Sequence, residues 1–187
     1  MEMTTQNTMF TAIKKQNENR INLRNVDNLR LISASKLEKS SFDNSMLDKI
    51  SIRHSDLNES DLRKCNIKYA KHNNSNYEGV DFTWSNLAKN RFKRINLKDV
   101  SLECTNLEDS TFEECDLAAT SMRWANLRGV TFKNCSLKDC DFSNVDLTGT
   151  IFINCNLKGA KFNINTKMPF LKENAIEKLG MDFIGIH

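Results

Sequence analysis

Cysteine is the residue type with which this sequence could most readily do chemistry, and three cysteines are regularly spaced. Cys115, Cys135 and Cys155 lie twenty residues apart, and the chain has six cysteines in all. A ladder of thiols could bind a soft metal ion or sense oxidation. A buried cysteine is more often a small apolar side chain. We favour packing, because parallel thiols that point inward lack the converging geometry of a zinc site.

The spacing of twenty is a multiple of a shorter period that runs through most of the chain. From Ile32 to Phe162 every fifth residue is apolar or aromatic, with His72 as the one exception. The hydrophobic content of the chain is only 39%, so chance does not produce this pattern. A period of five fits neither a strand, which repeats every two residues, nor a helix at 3.6. It therefore indicates a repeat architecture.

The positions around each apolar centre repeat as well. The residue just before the centre is often Asn, Asp or Ser, whose short side chains bond nearby backbone at corners. Charged residues and glycines collect at the two positions after the centre, which predicts that these positions face solvent. The residue two before the centre is small enough to point inward beside the large one. This set includes Ser40, Ser55, Cys65, Ala70, Val80, Val100, Thr120, Ala125 and Val130.

A central Leu or Phe, a small residue two before it and Asn or Asp between them resembles the pattern of the pentapeptide repeat family. The resemblance implies an all-β solenoid: a right-handed, four-sided β-helix with four pentapeptides in each coil of twenty residues. Six to seven coils would give a rod on the order of 30 Å long at ~4.8 Å per strand. We predict a polar N-terminal arm or cap at 1–20, the β-helix at 21–165 and a capping and dimerisation module at 166–187.

Folded at a period of twenty, the centres stack like on like in four inward columns, as a solenoid core needs. The weak point is His72, which lies among polar residues in the segment 70–77. This segment could be an irregular coil with His72 turned outward, or a protruding loop. Because the frame needs no inserted residue, we favour the distorted coil. The polar segment 1–20 is either a cap or an export signal, and we favour the cap.

The pattern stops after Phe162. Residues 169–179 read as a helix with Pro169 in its first turn, and 181–186 read as a short strand. This ending resembles the C-terminal module of Qnr-type quinolone-resistance proteins. The resemblance implies a homodimer joined end to end through the C-termini. The interface residues it implies are Leu179, Met181, Phe183, Ile184 and Ile186.

Two surface features are candidates for binding a partner. Trp84, Cys104 and Trp124 occupy one outward position on successive coils, with Arg123 beside them, and either tail residues cover them or they form an interface. The segment 99–122 holds seven acids and no Lys or Arg, whereas 63–98 holds nine bases against two acids. The acids would form a belt around the rod, either simply solvated or binding a partner. Its site candidates are Glu108, Asp109, Glu113 and Glu114.

The sequence shows no catalytic constellation, phosphate-binding glycine loop or metal-ligand motif, so we predict a non-enzymatic protein without cofactor or metal. No segment predicts a membrane span, and the net charge of +3 is too small to predict sequence-specific nucleic-acid binding. Cysteines without an export signal favour the cytoplasm. The resemblance implies a protein that binds DNA gyrase or topoisomerase IV and protects it from a poison. The alternative is an interaction scaffold or secreted effector that uses the β-helix surface for docking.

Overall fold

One face of the molecule is a ladder of short parallel strands that repeats along the chain. The computed structural model describes residues 12–168 and 182–183. Each strand of this face pairs with the strand of the next coil, in strict sequence order. The strands are β1 (Ala12–Lys14), β2 (Leu31–Ser33), β3 (Ser51–Arg53), β4 (Lys71–Asn73), β5 (Arg91–Lys93), β6 (Thr111–Glu113), β7 (Thr131–Lys133) and β8 (Ile151–Ile153).

The other three faces are held by single parallel bridges at the same spacing. Asp56 bridges Asn76, and Asn66 bridges Asn86, in each case twenty residues on. The described chain is therefore a parallel β-solenoid of about seven turns, and the predicted fold class is confirmed. The described residues contain no helix, and the predicted helix at 169–179 lies outside them.

The core consists of the predicted columns of large side chains. Along the face of β5 to β8, ring centroids are separated by 4.5 Å from Phe92 to Phe112, 5.0 Å from Phe112 to Phe132 and 5.4 Å from Phe132 to Phe152. Each ring packs on the rings of the coils before and after it. Full burial of such a side chain contributes about 1.5–3 kcal/mol before the entropy of the chain is counted. The columns explain why like residues recur every twenty positions.

The corners of the coils are left-handed turns. The residue two after each centre has a positive φ, as at Asn44 with 59° and Asn144 with 61°. The polar residue before the centre braces the turn, for example where Asn126 Oδ1 accepts the N–H of Arg128 at 3.2 Å. Asn tolerates this backbone region better than most residues, which accounts for its frequency in the sequence.

The first coil is one residue shorter than the others. Ile13 of β1 pairs with Ile32 of β2, nineteen residues on. The missing residue falls on the fourth side, where Asn28 adopts a φ of 66° and Leu29 is buried. Ala12–Lys14, inside the segment 1–20, thus already belong to the solenoid, and the shortened side explains why Leu23 is out of step with the frame that starts at Ile32.

Our interpretation of His72 as an outward residue in a distorted coil is wrong. Strand β4 is regular, and His72 is 1% exposed. Its Nδ1 lies 2.8 Å from the Tyr77 hydroxyl, and its Nε2 lies 3.3 Å from Nδ2 of Asn90. Its ring stacks on Phe92 with centroids 4.3 Å apart. The imidazole fits the core because both nitrogens have partners and the ring continues the aromatic column.

The last two described strands pair with each other at the C-terminal end of the rod. Strand β9 (Lys161–Phe162) pairs in parallel with β10 (Asp182–Phe183). Of the strand predicted at 181–186, the structure describes residues 182–183, and these two form a strand. Within the described residues, no helix is long and apolar enough to cross a membrane.

Candidate interaction surfaces

The cysteine ladder lies inside the coils. Cys115 and Cys135 are buried and Cys155 is half-buried, and each thiol points to a backbone carbonyl of the preceding coil. The distance from Sγ of Cys135 to the Phe112 oxygen is 3.5 Å. A hydrogen bond with Cys115, together with burial, raises the pKa of the Cys135 thiol to about 11. No group of three or more potential metal ligands occurs among the described residues.

The tryptophan edge is the corner that carries Trp84, Cys104 and Trp124. Trp84 is 66% exposed and Trp124 is 59% exposed, whereas Cys104 between them is partly covered. All three adopt positive φ angles of 65°, 55° and 62° in chain order. The corner places the two indoles two coils apart, about 10 Å along the rod. No described tail or loop covers them, so the first of the two interpretations, a covered face, does not hold in the described part.

Arg123 lies beside Trp124 and is exposed, and no ion pair among the described residues includes it. By contrast, Arg63, three coils before it, is bound by Asp61 at 2.7 Å. Arg and Trp are the residue types most enriched at the energetic centres of protein interfaces. The tryptophan edge thus combines two rigid aromatic side chains with an available cation.

Part of the acidic belt is neutralised by cations of the neighbouring coils. Glu113 lies 3.0 Å from Nζ of Lys93, and Glu114 lies 2.9 Å from Nε of Arg94. The hydrogen bond from Lys93 lowers the pKa of Glu113 below its ordinary value. Each pair joins residues twenty positions apart, so side chains of the basic coil form ion pairs with side chains of the adjacent acidic coil.

Glu108 and Asp109 differ from the rest of the belt. Both are exposed on the fourth face, and the described ion pairs do not involve them. Of the four acidic candidates, the structure therefore brings Glu113 and Glu114 into ion pairs and leaves Glu108 and Asp109 open to solvent. The belt is two separate patches and not one continuous acidic surface.

One further surface feature was not predicted from the sequence. A small groove of about 270 Å³ lies between Tyr69, Ala70, Lys71, Lys89 and Arg91, and we call it the Tyr69 groove. The excess of bases between 63 and 98 was visible in the sequence. Its localisation depends on the register, which places Lys71 directly beside Arg91 on adjacent strands. Reading the basic residues at a spacing of twenty would have found the pair.

The comparisons with known proteins agree with this geometry. A family described as "Pentapeptide repeat region" matches residues 85–162. The match covers 78 of the 187 residues, and the coils on either side of it repeat the same geometry. Proteins of this family are generally structural or binding proteins. No protein of curated function matches the sequence.

Among solved structures, the chain is similar to HetL from the cyanobacterium Nostoc sp. strain PCC 7120, a pentapeptide repeat protein involved in regulation of heterocyst differentiation. The identity is 19%, the TM-score is 0.50, and the alignment covers 82% of this chain and 85% of HetL. A second similar structure is full-length QnrB1, a plasmid-mediated fluoroquinolone resistance protein, with 14% identity, a TM-score of 0.49 and coverage of 92% and 91%. At these identities the likeness concerns the fold alone.

Proposed function

We propose that this chain is a non-enzymatic binding protein whose partner protein docks on the tryptophan edge. The observation that carries the proposal is the exposure of Trp84 and Trp124 at corners with positive φ. A bulky residue in this backbone region costs about 1–2 kcal/mol. Asn44 and Asn144 occupy the same corner on other coils at a similar φ, so the turn itself does not require tryptophan. A partner with apolar pockets that accept the two indoles accounts for their exposure.

The partner that we propose is a type II DNA topoisomerase, either gyrase or topoisomerase IV, with protection from a poison as the outcome. Support for this choice is the resemblance of the C-terminal sequence to Qnr-type proteins. A cytoplasmic location is part of the same proposal, and it agrees with the six free cysteines of the described chain. If the partner is another protein, the chain is an interaction scaffold that uses the same edge.

A gyrase supercoiling assay with and without a fluoroquinolone tests the choice of partner. We expect the purified protein to restore supercoiling in the presence of the drug, and the Trp84→Asn/Trp124→Asn variant to lose this effect. The matched control is Ala34→Asn/Ala119→Asn, which places Asn at two other exposed corners with positive φ. Absence of any rescue or inhibition by the wild-type protein would exclude the topoisomerase.

Cys104 provides a footprint of the docking edge, because it lies between the two indoles and is partly exposed. We expect a bound partner to slow alkylation of Cys104, with Cys155 at the far end of the cysteine ladder as the internal reference. Undiminished alkylation of Cys104 in a complex that survives the double Asn variant would show that the partner binds elsewhere.

The C-terminal end is proposed as a homodimer interface formed by Leu179, Met181, Phe183, Ile184 and Ile186. Support comes from the last coil, where the exposed large apolar residues Ile151, Ile153 and Ile164 lie. Exposed apolar surface of this kind favours a covered interface. Sizing chromatography should give a dimer for the wild type and for Phe183→Leu, and a monomer for Phe183→Asp. A Phe183→Asp variant that remains dimeric would place the interface elsewhere.

A further inference from the structure

The cations of the Tyr69 groove have no acidic partners in the described chain. Lys71, Lys89 and Arg91 are exposed, and the ion pairs among the described residues include none of them. Some cations of neighbouring coils do pair across coils, as Lys93 does with Glu113. The groove instead brings three unpaired cations together on two adjacent coils.

The strand register places two of these cations next to each other. Lys71 of β4 and Arg91 of β5 are direct neighbours in the ladder. Like charges directly opposite each other on paired strands are destabilising. The strand spacing of ~4.8 Å is short enough for the two charges to repel each other. Both side chains point outward, so the fold would be equally well formed by uncharged residues there. A local rule broken without structural gain is typical of a functional site.

The floor and wall of the groove are fixed. The N–H of Ala70 in the floor donates to Oδ1 of Asn90 at 2.8 Å, and Asn90 is fully buried. The Tyr69 ring forms the wall, with Nζ of Lys89 5.9 Å from its centroid. The cations are thus presented by a rigid backbone and not by a mobile loop.

The extent of the groove indicates the size of its ligand. On the strand column, the neighbours of Lys71 and Arg91 are the uncharged Ser51 and Thr111. At the corner, Asp109 follows Lys89 one coil on. The basic strip therefore ends after two coils, whereas a nucleic-acid strand would need cations that continue along its backbone. Three cations around about 270 Å³ match a compact group with several negative charges.

We propose that the Tyr69 groove binds a small ligand that carries a di- or triphosphate group. Arg91 offers the planar fork that matches phosphate oxygens, and the two lysines supply point charges. The Tyr69 ring provides an apolar surface against which the uncharged part of the ligand packs. This site is separate from the tryptophan edge, and neither proposal depends on the other.

Calorimetric titration with inorganic tripolyphosphate tests the site in the full-length protein. We expect saturable binding of one tripolyphosphate per chain. The Lys71→Gln/Arg91→Gln variant should bind about tenfold more weakly or worse, because each charge-assisted hydrogen bond contributes about 1.5–3 kcal/mol. The control Lys64→Gln/Lys158→Gln removes the same charge from two exposed cations elsewhere and should bind as the wild type does.

The same two variants give a second, ligand-free readout. Removal of the Lys71–Arg91 repulsion should raise the melting temperature at low salt, and the control should leave it unchanged. Equal weakening of tripolyphosphate binding in both variants would overturn the proposal, since it would reflect net charge alone. Absence of saturable binding would overturn it as well. Tighter binding of a single-stranded oligonucleotide, lost in Lys71→Gln/Arg91→Gln, would replace it with a nucleic-acid site.

Discussion

His72 shows how a single residue reconciles a polar side chain with an apolar core. Oδ1 of Asn90 accepts from Ala70, so its amide nitrogen faces Nε2 of His72 as a donor. Nε2 is therefore the acceptor, and Nδ1 carries the proton that is donated to the Tyr77 hydroxyl. This arrangement selects one neutral tautomer of the imidazole. A protonated ring would place two donors against each other at Asn90.

The pH dependence of stability should therefore report on His72. Burial lowers the pKa of His72 from 6.5 to about 3 in the folded chain. Above pH 6.5 the ring is neutral in both states, and the stabilisation is fully present. Below that pH the unfolded chain binds the proton first, so the free energy of unfolding should fall by about 1.4 kcal/mol per pH unit towards pH 3.

Urea unfolding of the wild type and of His72→Leu across this pH range is the measurement. The leucine variant is expected to be less stable near neutral pH by about 1–3 kcal/mol, because Tyr77 and Asn90 lose their partner. The difference between the two proteins should shrink as the pH falls. A constant difference from pH 7 to pH 4 would contradict a buried neutral imidazole.

At the scale of the element, the unit of this fold is the corner with its left-handed residue. From Ile32 to Leu157 the residue two after each centre has a positive φ, and some of these positions hold residues that tolerate it, such as Asn44 and Gly129. Trp84 and Trp124 occupy the position against their backbone preference. The unfavourable backbone conformation thus coincides with two exposed indoles, which links local conformation to the proposed docking role.

We expect Trp84→Asn to leave the free energy of unfolding unchanged or to raise it by about 1 kcal/mol, because Asn tolerates a positive φ. Trp84→Val is the matched comparison and should destabilise the protein, since a β-branched residue is poorly accommodated there. Chemical denaturation of both variants provides the values. A clear loss of stability in Trp84→Asn would mean that the indole packs on the rod and is not free for a partner.

The parts of the fold that recur at a fixed spacing along the chain were predictable from the sequence. The inward columns and the packed cysteines follow from the period of five folded at twenty, because each coil meets the same neighbours. His72 was misassigned because hydrophobic periodicity does not register hydrogen bonds, although Tyr77 and Asn90 both lie at inward positions. The Tyr69 groove and the Lys93–Glu113 pair depend on contacts between coils, which appear only when charges are read at the same spacing.

At the scale of the whole molecule, stability is distributed along the axis because each coil contacts only its neighbours. The stacked rings Phe92, Phe112, Phe132 and Phe152 show this best. Phe112 is 1% exposed with a ring on each side, whereas Phe152 of the last strand of the ladder is partly exposed. The same substitution should therefore cost different amounts at the two positions.

Phe112→Ala should lower the free energy of unfolding by about 3–5 kcal/mol, since it leaves a cavity between two coils that cannot collapse. Phe152→Ala is expected to lower it by clearly less. Equilibrium urea unfolding followed by far-ultraviolet circular dichroism gives both values. Equal losses at the two positions would argue against stability that is set by nearest neighbours.

The short first coil has a consequence for how this chain can change over evolutionary time. From Ile32 to Lys161 the coils are twenty residues long, so a duplication or deletion of twenty codons there would lengthen or shorten the rod by ~4.8 Å and keep all four columns intact. The nineteen-residue coil before Ile32 does not share this freedom. A copy of it inserted into the middle would displace each following side chain by one position. The nineteen-residue coil thus has to keep its place in the chain, whereas the coils of twenty residues after it are modules that can be added or removed.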